Sequence, residues 1–380
     1  MKKTLLFILT LLLLVIPIQT MAYTVGETIW HEDFAYRVLD ITKFNVSFIG
    51  VRDTKSGAIN VPEQFNDGKG TIFHVTEIGG GGAKCKNITA ITLPETIEKL
   101  GDACFGDANI AELTIPKNVK TIVHSAFYNI GTKPKITVTS GNQHFASDAN
   151  GCLYSKDMKE LYSVPSALNP AGGTYNVNES VENIYYSAFH QVAGLRKLVL
   201  PKDLKYIEIG FPTITPTDDL EEFELPTGGN SNYKVINGVL CKDTELLAYP
   251  RAKTDKDYKV PDGITSIAAR AIDKCKFMET IDLNKVTKLN NTSIYGALKL
   301  KTITLPKDLE KDNVVGAIAS CEYIEEYKAP AGGCVNFDVT DGIVYSKDKS
   351  VLYFFPPQKS VSNGKYTVTS SVKTIAKYAF

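Results

Sequence analysis

The chain has 380 residues, with 42 Lys or Arg against 42 Asp or Glu, so its formal net charge at pH 7 is zero. This balance gives no support for a nucleic-acid partner or for an anionic membrane surface as partner. Tyr (19) and Phe (17) are frequent, whereas Met (4) and Trp (1) are rare, and this composition favours strands and turns over helices.

The first 22 residues are predicted to be a signal peptide. Lys2 and Lys3 precede an apolar run from Leu5 to Ile18, which is too short for a comfortable membrane span but suits a signal-peptide core. Small residues before Tyr23 provide a cleavage point. We therefore expect an exported protein with no membrane span after signal removal.

Residues 23–74 are predicted to form an N-terminal β cap. Alternating apolar residues at 34–40 and 45–51 indicate two or three antiparallel strands. A cap is physically required here because a stack of repeats leaves the apolar end of its first unit exposed. The glycine run 79–82 follows, and we interpret it as a flexible turn because a phosphate-binding loop would need Gly-Lys-Ser/Thr at the start of a helix.

One apolar pattern recurs through residues 75–380. Relative to an anchor residue that is often Pro, apolar side chains stand at −3, −1, +3, +6 and +11. Seven of the ten spacings between successive anchors lie between 22 and 25 residues, so the chain is predicted to be a repeat array. The eleven anchors are Pro94, Pro116, Thr139, Asn178, Pro201, Pro226, Pro261, Asn284, Pro306, Pro330 and Thr369.

The pattern within each unit predicts its structure. Alternation before the anchor indicates a short strand with one buried face, and Pro ends that strand because it has no N–H to donate. A single unit cannot bury its own apolar face, so the units are predicted to stack and their strands to form a continuous parallel sheet. The predicted fold class is therefore a mainly β solenoid with a stacked parallel sheet.

Three longer spacings contain a second motif. It starts at Asn150, Asn237 and Asp341, each followed by Gly, and a Lys-Asp pair stands several residues later. Asn-Gly and Asp-Gly favour tight hairpin turns, so the motif predicts β-hairpins inserted into the array. Such inserts are expected on one face, where they can carry specificity.

These units resemble the BspA-type leucine-rich repeats of bacterial surface proteins. The resemblance is carried by LTIPKNVKTIVHSAF (113–127), YTVTSSVKTIAKYAF (366–380) and the insert DGIVYSKDKSVLYFFP (341–356), and it covers residues 75–380. Local departures occur at 78–82, at Ala103-Cys104 and at Asp312. The resemblance implies a curved leucine-rich-repeat solenoid with a role in adhesion and in binding host or matrix proteins.

The sequence offers little support for catalysis. Its five His stand at unrelated repeat positions, and neither G-x-S-x-G nor HExxH occurs. The absence of CxxC leaves a structural zinc site unsupported. We predict a protein that is not an enzyme, with no cofactor and no metal.

The seven Cys include at least one that cannot pair, and their wide spacing resembles no disulfide framework. Cys275 and Cys321 occupy a repeat position that holds Ala108, Ile130 and Val192 in other units. A position shared by Cys, Ala, Ile and Val is a core position, so these cysteines are interpreted as small apolar core residues.

The predicted binding surface, here called the strand face, consists of the residues two and four before each anchor, which point away from the core. A stacked sheet would align them as one long surface suited to a protein or glycan partner. The alternative is an ordinary solvated face, since Thr is also a good strand former. The row at −2 is Thr92, Thr114, Thr137, Asn176, Val199, Glu224, Lys259, Asp282, Thr304, Lys328 and Thr367. The row at −4 is Ala90, Glu112, Lys135, Thr174, Lys197, Glu222, Asp257, Thr280, Thr302, Glu326 and Lys365.

The function predicted from these features is that of a non-catalytic cell-surface or secreted binding protein, with adhesion to host or matrix proteins or to glycans. Two alternatives stay open. The chain could be a structural spacer or scaffold that presents another domain, or an accessory to a glycan-related enzyme. A deep pocket with convergent carboxylates would support the accessory role, and an unbroken shallow sheet would count against it.

Overall fold

A computed structural model describes residues 23–79, 84–185, 188–208, 217–312 and 314–380. The predicted signal peptide and Gly80–Gly82 of the predicted turn lie outside the described residues. The described chain is almost entirely β, with two 3-10 turns of three residues at Ala171–Gly173 and Ser362–Gly364. No helix within these ranges is long and apolar enough to cross a membrane.

Six strands form the N-terminal cap. Strands β2 and β3 are the antiparallel pair that the sequence predicts, while β6 pairs in parallel with β3 and continues past residue 74, where the array was expected to begin. Stacked rings of Tyr36, Phe65 and Phe73 fill the cap core, with centroids 4.4 and 5.2 Å apart. The cap strands are β1 (Thr28–His31), β2 (Phe34–Asp40), β3 (Asn45–Val51), β4 (Gly57–Asn60), β5 (Gln64–Asn66) and β6 (Ile72–Ile78).

The array contributes the remaining strands. In chain order they begin with β7 (Ile88–Thr92), β8 (Lys99–Leu100), β9 (Glu112–Ile115), β10 (Thr121–Ile122), β11 (Lys135–Val138), β12 (Phe145–Ser147), β13 (Leu153–Ser155), β14 (Glu160–Ser163), β15 (Thr174–Asn176), β16 (Asn183–Ile184), β17 (Lys197–Val199) and β18 (Tyr206–Ile207). They continue with β19 (Glu222–Glu224), β20 (Lys234–Ile236), β21 (Val239–Lys242), β22 (Glu245–Ala248), β23 (Asp257–Lys259), β24 (Ser266–Ile267), β25 (Ile272–Asp273), β26 (Thr280–Asp282), β27 (Lys288–Leu289), β28 (Ile294–Tyr295), β29 (Thr302–Thr304), β30 (Ile318–Ala319), β31 (Glu326–Lys328), β32 (Phe337–Thr340), β33 (Ile343–Ser346), β34 (Val351–Phe354) and β35 (Thr374–Ile375).

The strands stack in parallel rows, which confirms the predicted solenoid. Row 1 consists of the strands just before each anchor, and row 2 of two-residue strands near +5 and +6, joined by the last strand of each insert. Row 3, near +11 and +12, is formed by β25, β28 and β30. Register is kept from unit to unit, as where Thr280 stands opposite Thr302, which stands opposite Glu326.

The apolar pattern of each unit forms the core, as predicted. In the unit anchored at Pro116, Leu113, Ile115, Val119, Ile122 and Phe127 are all at most 4% exposed. Burying such a side chain contributes about 1.5–3 kcal/mol relative to leaving it exposed, so five per unit explain why every unit repeats the pattern.

Row 1 and row 2 are each interrupted, whereas the repeat pattern predicts one continuous sheet. Row 1 is divided into β4–β7, β9–β11, β15–β17–β19 and β23–β26–β29–β31, and row 2 restarts at β14, β22 and β34. After β11, β19 and β31, the first turn of an insert occupies the position of the next row 1 strand. At each of these turns one row 1 amide donates a hydrogen bond of 2.9–3.0 Å to a glycine carbonyl, that of Gly151, Gly238 or Gly342.

Each insert is a three-stranded antiparallel meander that crosses the interior of the solenoid. Alternate residues of its strands join different buried clusters: Val239 and Cys241 face the unit that follows, whereas Leu240 packs with the unit that precedes. The sequence predicts inserts on one face, but the second and third strands of each insert lie mostly buried between two core segments, while the first strands β12, β20 and β32 are partly exposed. The sequence of a strand that is buried on both faces is a run of apolar residues without polar alternation. The insert sequences have such apolar runs.

The inserts therefore divide the core into four segments, each with its own buried cluster. Asparagine side chains connect an insert to the segment before it. Asn142 Nδ2 donates to the carbonyls of Pro116 (2.9 Å) and Val119 (3.1 Å), and Asn230 Nδ2 donates likewise to those of Pro201 (3.2 Å) and Leu204 (3.1 Å). Because these bonds satisfy turn carbonyls, they set the register of insert and unit.

All seven cysteines are buried as free thiols. Cys275 and Cys321 belong to one hydrophobic cluster, as the repeat position predicts. Burial raises the pKa of the Cys275 thiol to about 12 and that of Cys321 to about 11. Such thiols stay protonated at neutral pH and are poor nucleophiles.

We expect none of the seven thiols to react with Ellman's reagent in the native protein at pH 8. Burial blocks access and keeps the pKa of Cys85 and Cys152 at about 12, far above the assay pH, so thiolate is scarce. In guanidinium chloride all seven should react. Rapid reaction of any thiol in the native state, with unchanged circular dichroism, would contradict this burial.

Candidate binding surface

The structure places the predicted strand face outside the core. All eleven residues at −2 are exposed or half-buried, while their neighbours at −3 are buried in every strand of row 1. Val199, Asp282 and Thr304 are half-buried and the others are exposed. Thr367 is exposed but lies outside any strand, because residues 365–369 have no ladder partner in the described part of the chain.

The row at −2 is brought together in groups rather than along one line. Thr114 stands opposite Thr137, and Asn176, Val199 and Glu224 are consecutive. The longest group is formed by Lys259, Asp282, Thr304 and Lys328 on four paired strands. Thr92 pairs with Asn60 of the cap.

Ion pairs across strands balance the charges of the strand face. Lys197 Nζ lies 2.7 Å from a carboxylate oxygen of Glu222 and 2.8 Å from one of Glu224, and these bonds raise the pKa of Lys197. Lys259 of β23 pairs with Asp282 of β26 at 3.9 Å, and within β31 Lys328 pairs with Glu326 at 2.8 Å. Exposed pairs of this kind contribute little stability, but they leave a polar surface without a strong field of either sign.

An open cleft of about 740 Å³ lies beside the last strand of row 1 and the third insert. Glu325, Glu326 and Asp341 line it together with Lys301 and Lys359. Two of its three carboxylates are paired, Glu326 with Lys328 at 2.8 Å and Asp341 with Lys359 at 3.0 Å. The cleft therefore does not present two unpaired carboxylates for acid–base chemistry.

Aromatic side chains form a second surface, which the repeat pattern does not predict. The rings of His124 and Tyr185 stack with centroids 3.5 Å apart and an angle of 9°. Tyr162 and Tyr206 adjoin Tyr185 with centroids at 5.6 and 6.2 Å. In the sequence His124 is one of five His at unrelated repeat positions, and the predicted strand face includes outward side chains of row 1 alone.

Other chemical features have structural explanations. Gly79 has φ +95°, and a methyl group on it would lie 2.7 Å from Cβ of Cys104. Close packing therefore explains the glycine at this position, and a phosphate-binding role is not needed to explain it. Burial lowers the pKa of His190 to about 4. Within the described ranges, no three of His, Cys, Asp or Glu gather closely enough to hold a metal ion.

A buried core repeated at a near-constant period and presented as stacked parallel strands defines a leucine-rich-repeat solenoid. The family model for the BspA type leucine-rich repeat region matches in six copies, at residues 76–167, 173–232 and 252–333. These segments cover more than half of the chain, and the protein belongs to this family.

Solved structures of bacterial proteins resemble the chain at low sequence identity. A leucine-rich cell surface protein of Faecalibacterium prausnitzii is 16% identical over 93% of this chain and 95% of its own, with a TM-score of 0.47. The pneumococcal vaccine antigen PcpA is 18% identical over 81% of this chain and 94% of its own, with a TM-score of 0.39. A leucine-rich-repeat protein of Eubacterium ventriosum is 15% identical over 92% and 85%, with a TM-score of 0.41. A comparison with curated protein sequences gave no match.

Proposed function

We propose that this protein is a non-catalytic binding protein, exported to the cell surface or secreted, that adheres to a host or matrix protein or to a glycan. The cap, residues 23–74, protects the end of the solenoid, and the array, residues 75–380, presents the strand face. The apolar run before Tyr23 supports export.

The observation that carries the proposal is the register of the strand face. Lys259, Asp282, Thr304 and Lys328 stand side by side on four paired strands above a rigid buried core, so their spacing is held by the backbone ladder. A backbone that is already ordered does not have to be ordered again on binding, which lowers the entropic cost of recognition. Solenoids of other families use extended surfaces of this kind for recognition.

A binding screen by biolayer interferometry tests the proposal. The mature protein is presented with fibronectin, fibrinogen, laminin, collagen and an array of host glycans. A variant carrying Glu224→Ala, Lys259→Ala and Lys328→Ala should bind the captured partner at least tenfold more weakly, on the order of 1.4 kcal/mol.

The matched control carries Glu98→Ala, Lys120→Ala and Lys285→Ala, which remove three exposed charges elsewhere on the solenoid. It should stay within about twofold of the parent, a change below 0.5 kcal/mol. Equal binding by both triple variants would reject the strand face as the site. Failure of the parent to bind any probe would favour the spacer role.

A further inference from the structure

The aromatic cluster, defined as His124, Tyr162, Tyr185 and Tyr206, lies where the first insert meets row 2. Its members come from three ordinary units and from strand β14 of the insert. Tyr206 is 47% exposed and His124 is exposed, while Tyr162 is buried beneath them. The cluster therefore has a buried base and a solvent-facing aromatic surface.

Hydrogen bonds hold these rings in place. The hydroxyls of Tyr162 and Tyr185 donate to the two carboxylate oxygens of Glu160, at 2.7 and 2.9 Å. Phe145 packs edge-on against Tyr162 with centroids 5.6 Å apart. The base of the surface is thus preformed, and His124 stacks on its Tyr185 ring, which lowers the entropic cost of ordering these side chains around a ligand.

Packing of the repeat does not require an exposed aromatic residue here. Tyr206 stands five residues after its anchor, and other units place Lys99, Thr121, Asn183 or Ser266 at that position. These residues show that a polar side chain serves row 2 equally well. The tyrosine exposes apolar surface that the fold itself does not use.

Carboxylates border the aromatic cluster. Glu182 is bonded to two lysines, Lys159 at 2.8 Å and Lys205 at 2.6 Å. Glu160 lines an open cleft of about 550 Å³ together with Glu182, Lys156 and Lys159, and Glu208 with Asp102 and His124 lines one of about 540 Å³. An ionised carboxylate only accepts hydrogen bonds, so these clefts suit a ligand rich in hydroxyl donors.

We propose that the aromatic cluster is a binding site for a neutral oligosaccharide whose sugar rings present a face of C–H groups. The C–H face of such a sugar ring stacks on Tyr206 and His124, and its hydroxyls donate to Glu160 and Glu208. Acidic glycans bind more weakly because the bordering carboxylates (Asp102, Asp157, Glu160, Glu182 and Glu208) outnumber the bordering lysines (Lys156, Lys159 and Lys205), which leaves a net negative border. The proposal names a ligand class within the proposed binding function, on which it rests, but it uses a surface other than the strand face.

A glycan microarray tests this site. It carries neutral oligosaccharides that contain galactose, glucose or N-acetylglucosamine, together with their sialylated counterparts. The strongest neutral ligand is then titrated by calorimetry. The parent should retain neutral glycans in preference to sialylated ones. Tyr206→Ala and His124→Ala should each weaken binding at least tenfold. Tyr206→Phe keeps the stacking ring and should retain most of the affinity.

Tyr323→Ala is the matched control, because Tyr323 is 52% exposed in a different segment, and it should stay within twofold of the parent. The strand-face triple variant should also keep glycan binding, which separates this site from the proposed strand-face site. Absence of neutral glycan binding, preference for sialylated glycans, or equal binding by the Tyr206→Ala and Tyr323→Ala variants would overturn the proposal. So would a protein partner whose binding depends on Tyr206 while the glycans stay unbound.

Discussion

Replacing Asp273 by Ala is expected to lower the free energy of unfolding by about 3–5 kcal/mol, because it breaks a buried ion cluster. Asp273 is 1% exposed and accepts hydrogen bonds from Arg251 and, at 3.0 Å, from Arg270. Arg251 is itself 6% exposed and also pairs with Asp218 at 2.6 Å. Without Asp273, the buried guanidinium of Arg251 keeps its desolvation cost and loses a partner.

The measurement is urea unfolding followed by circular dichroism, with hydrogen exchange to locate the loss. Solenoids unfold by neighbouring units, so protection should fall first in β25 and β28 of row 3. Asp262→Ala is the matched control because its pair with Lys285, at 3.4 Å, is exposed. That change should cost less than about 1 kcal/mol, and equal losses for the two variants would contradict the buried cluster.

Gly238→Ala is expected to destabilise the second insert by about 2–3 kcal/mol. Gly238 has φ +79° in a two-residue turn, and a methyl group there would lie 2.9 Å from Cβ of Glu222. The change thus combines an unfavourable backbone conformation with a clash against row 1. The measurement is the free energy of unfolding in urea, followed for the two core segments that border the insert.

Gly228→Ala separates the two causes. Gly228 also has a positive φ, +94°, but a methyl group on it would meet nothing within 4 Å. This variant should show only the conformational penalty, about 1 kcal/mol. If Gly238→Ala lowers the free energy of unfolding no more than Gly228→Ala does, the close approach of the turn to Glu222 does not contribute to the loss.

The period of the sequence was sufficient to predict the solenoid because each unit buries the same positions. Leu113, Ile115 and Phe127 illustrate a spacing that only a stacked array satisfies. The core role of Cys275 followed from the same logic, since apolar residues replace it in other units. Local sequence also identified the inserts, because Asn-Gly and Asp-Gly have a backbone preference of their own.

The inserts' position and the aromatic cluster could not be predicted in this way. An apolar run is compatible with a strand on the surface of a larger core or with one buried on both faces, and periodicity does not separate these. His124, Tyr185 and Tyr206 stand eight, seven and five residues after their anchors, so no single repeat position contains them. Tyr162 belongs to an insert, outside the repeat altogether.

The division of the core has a mechanical consequence. At each insert the parallel ladders of rows 1 and 2 stop. The neighbouring segments are then joined by isolated backbone bonds, such as the one from row 1 to the insert turn and that from Ala252 N–H to the Leu220 carbonyl, together with side chains such as Asn142 and Asn230. Under tension applied along the solenoid, these junctions carry load with far fewer backbone bonds than the ladders on either side. A stretched molecule should therefore extend in discrete steps, one segment at a time, while each remaining segment keeps its own buried cluster intact.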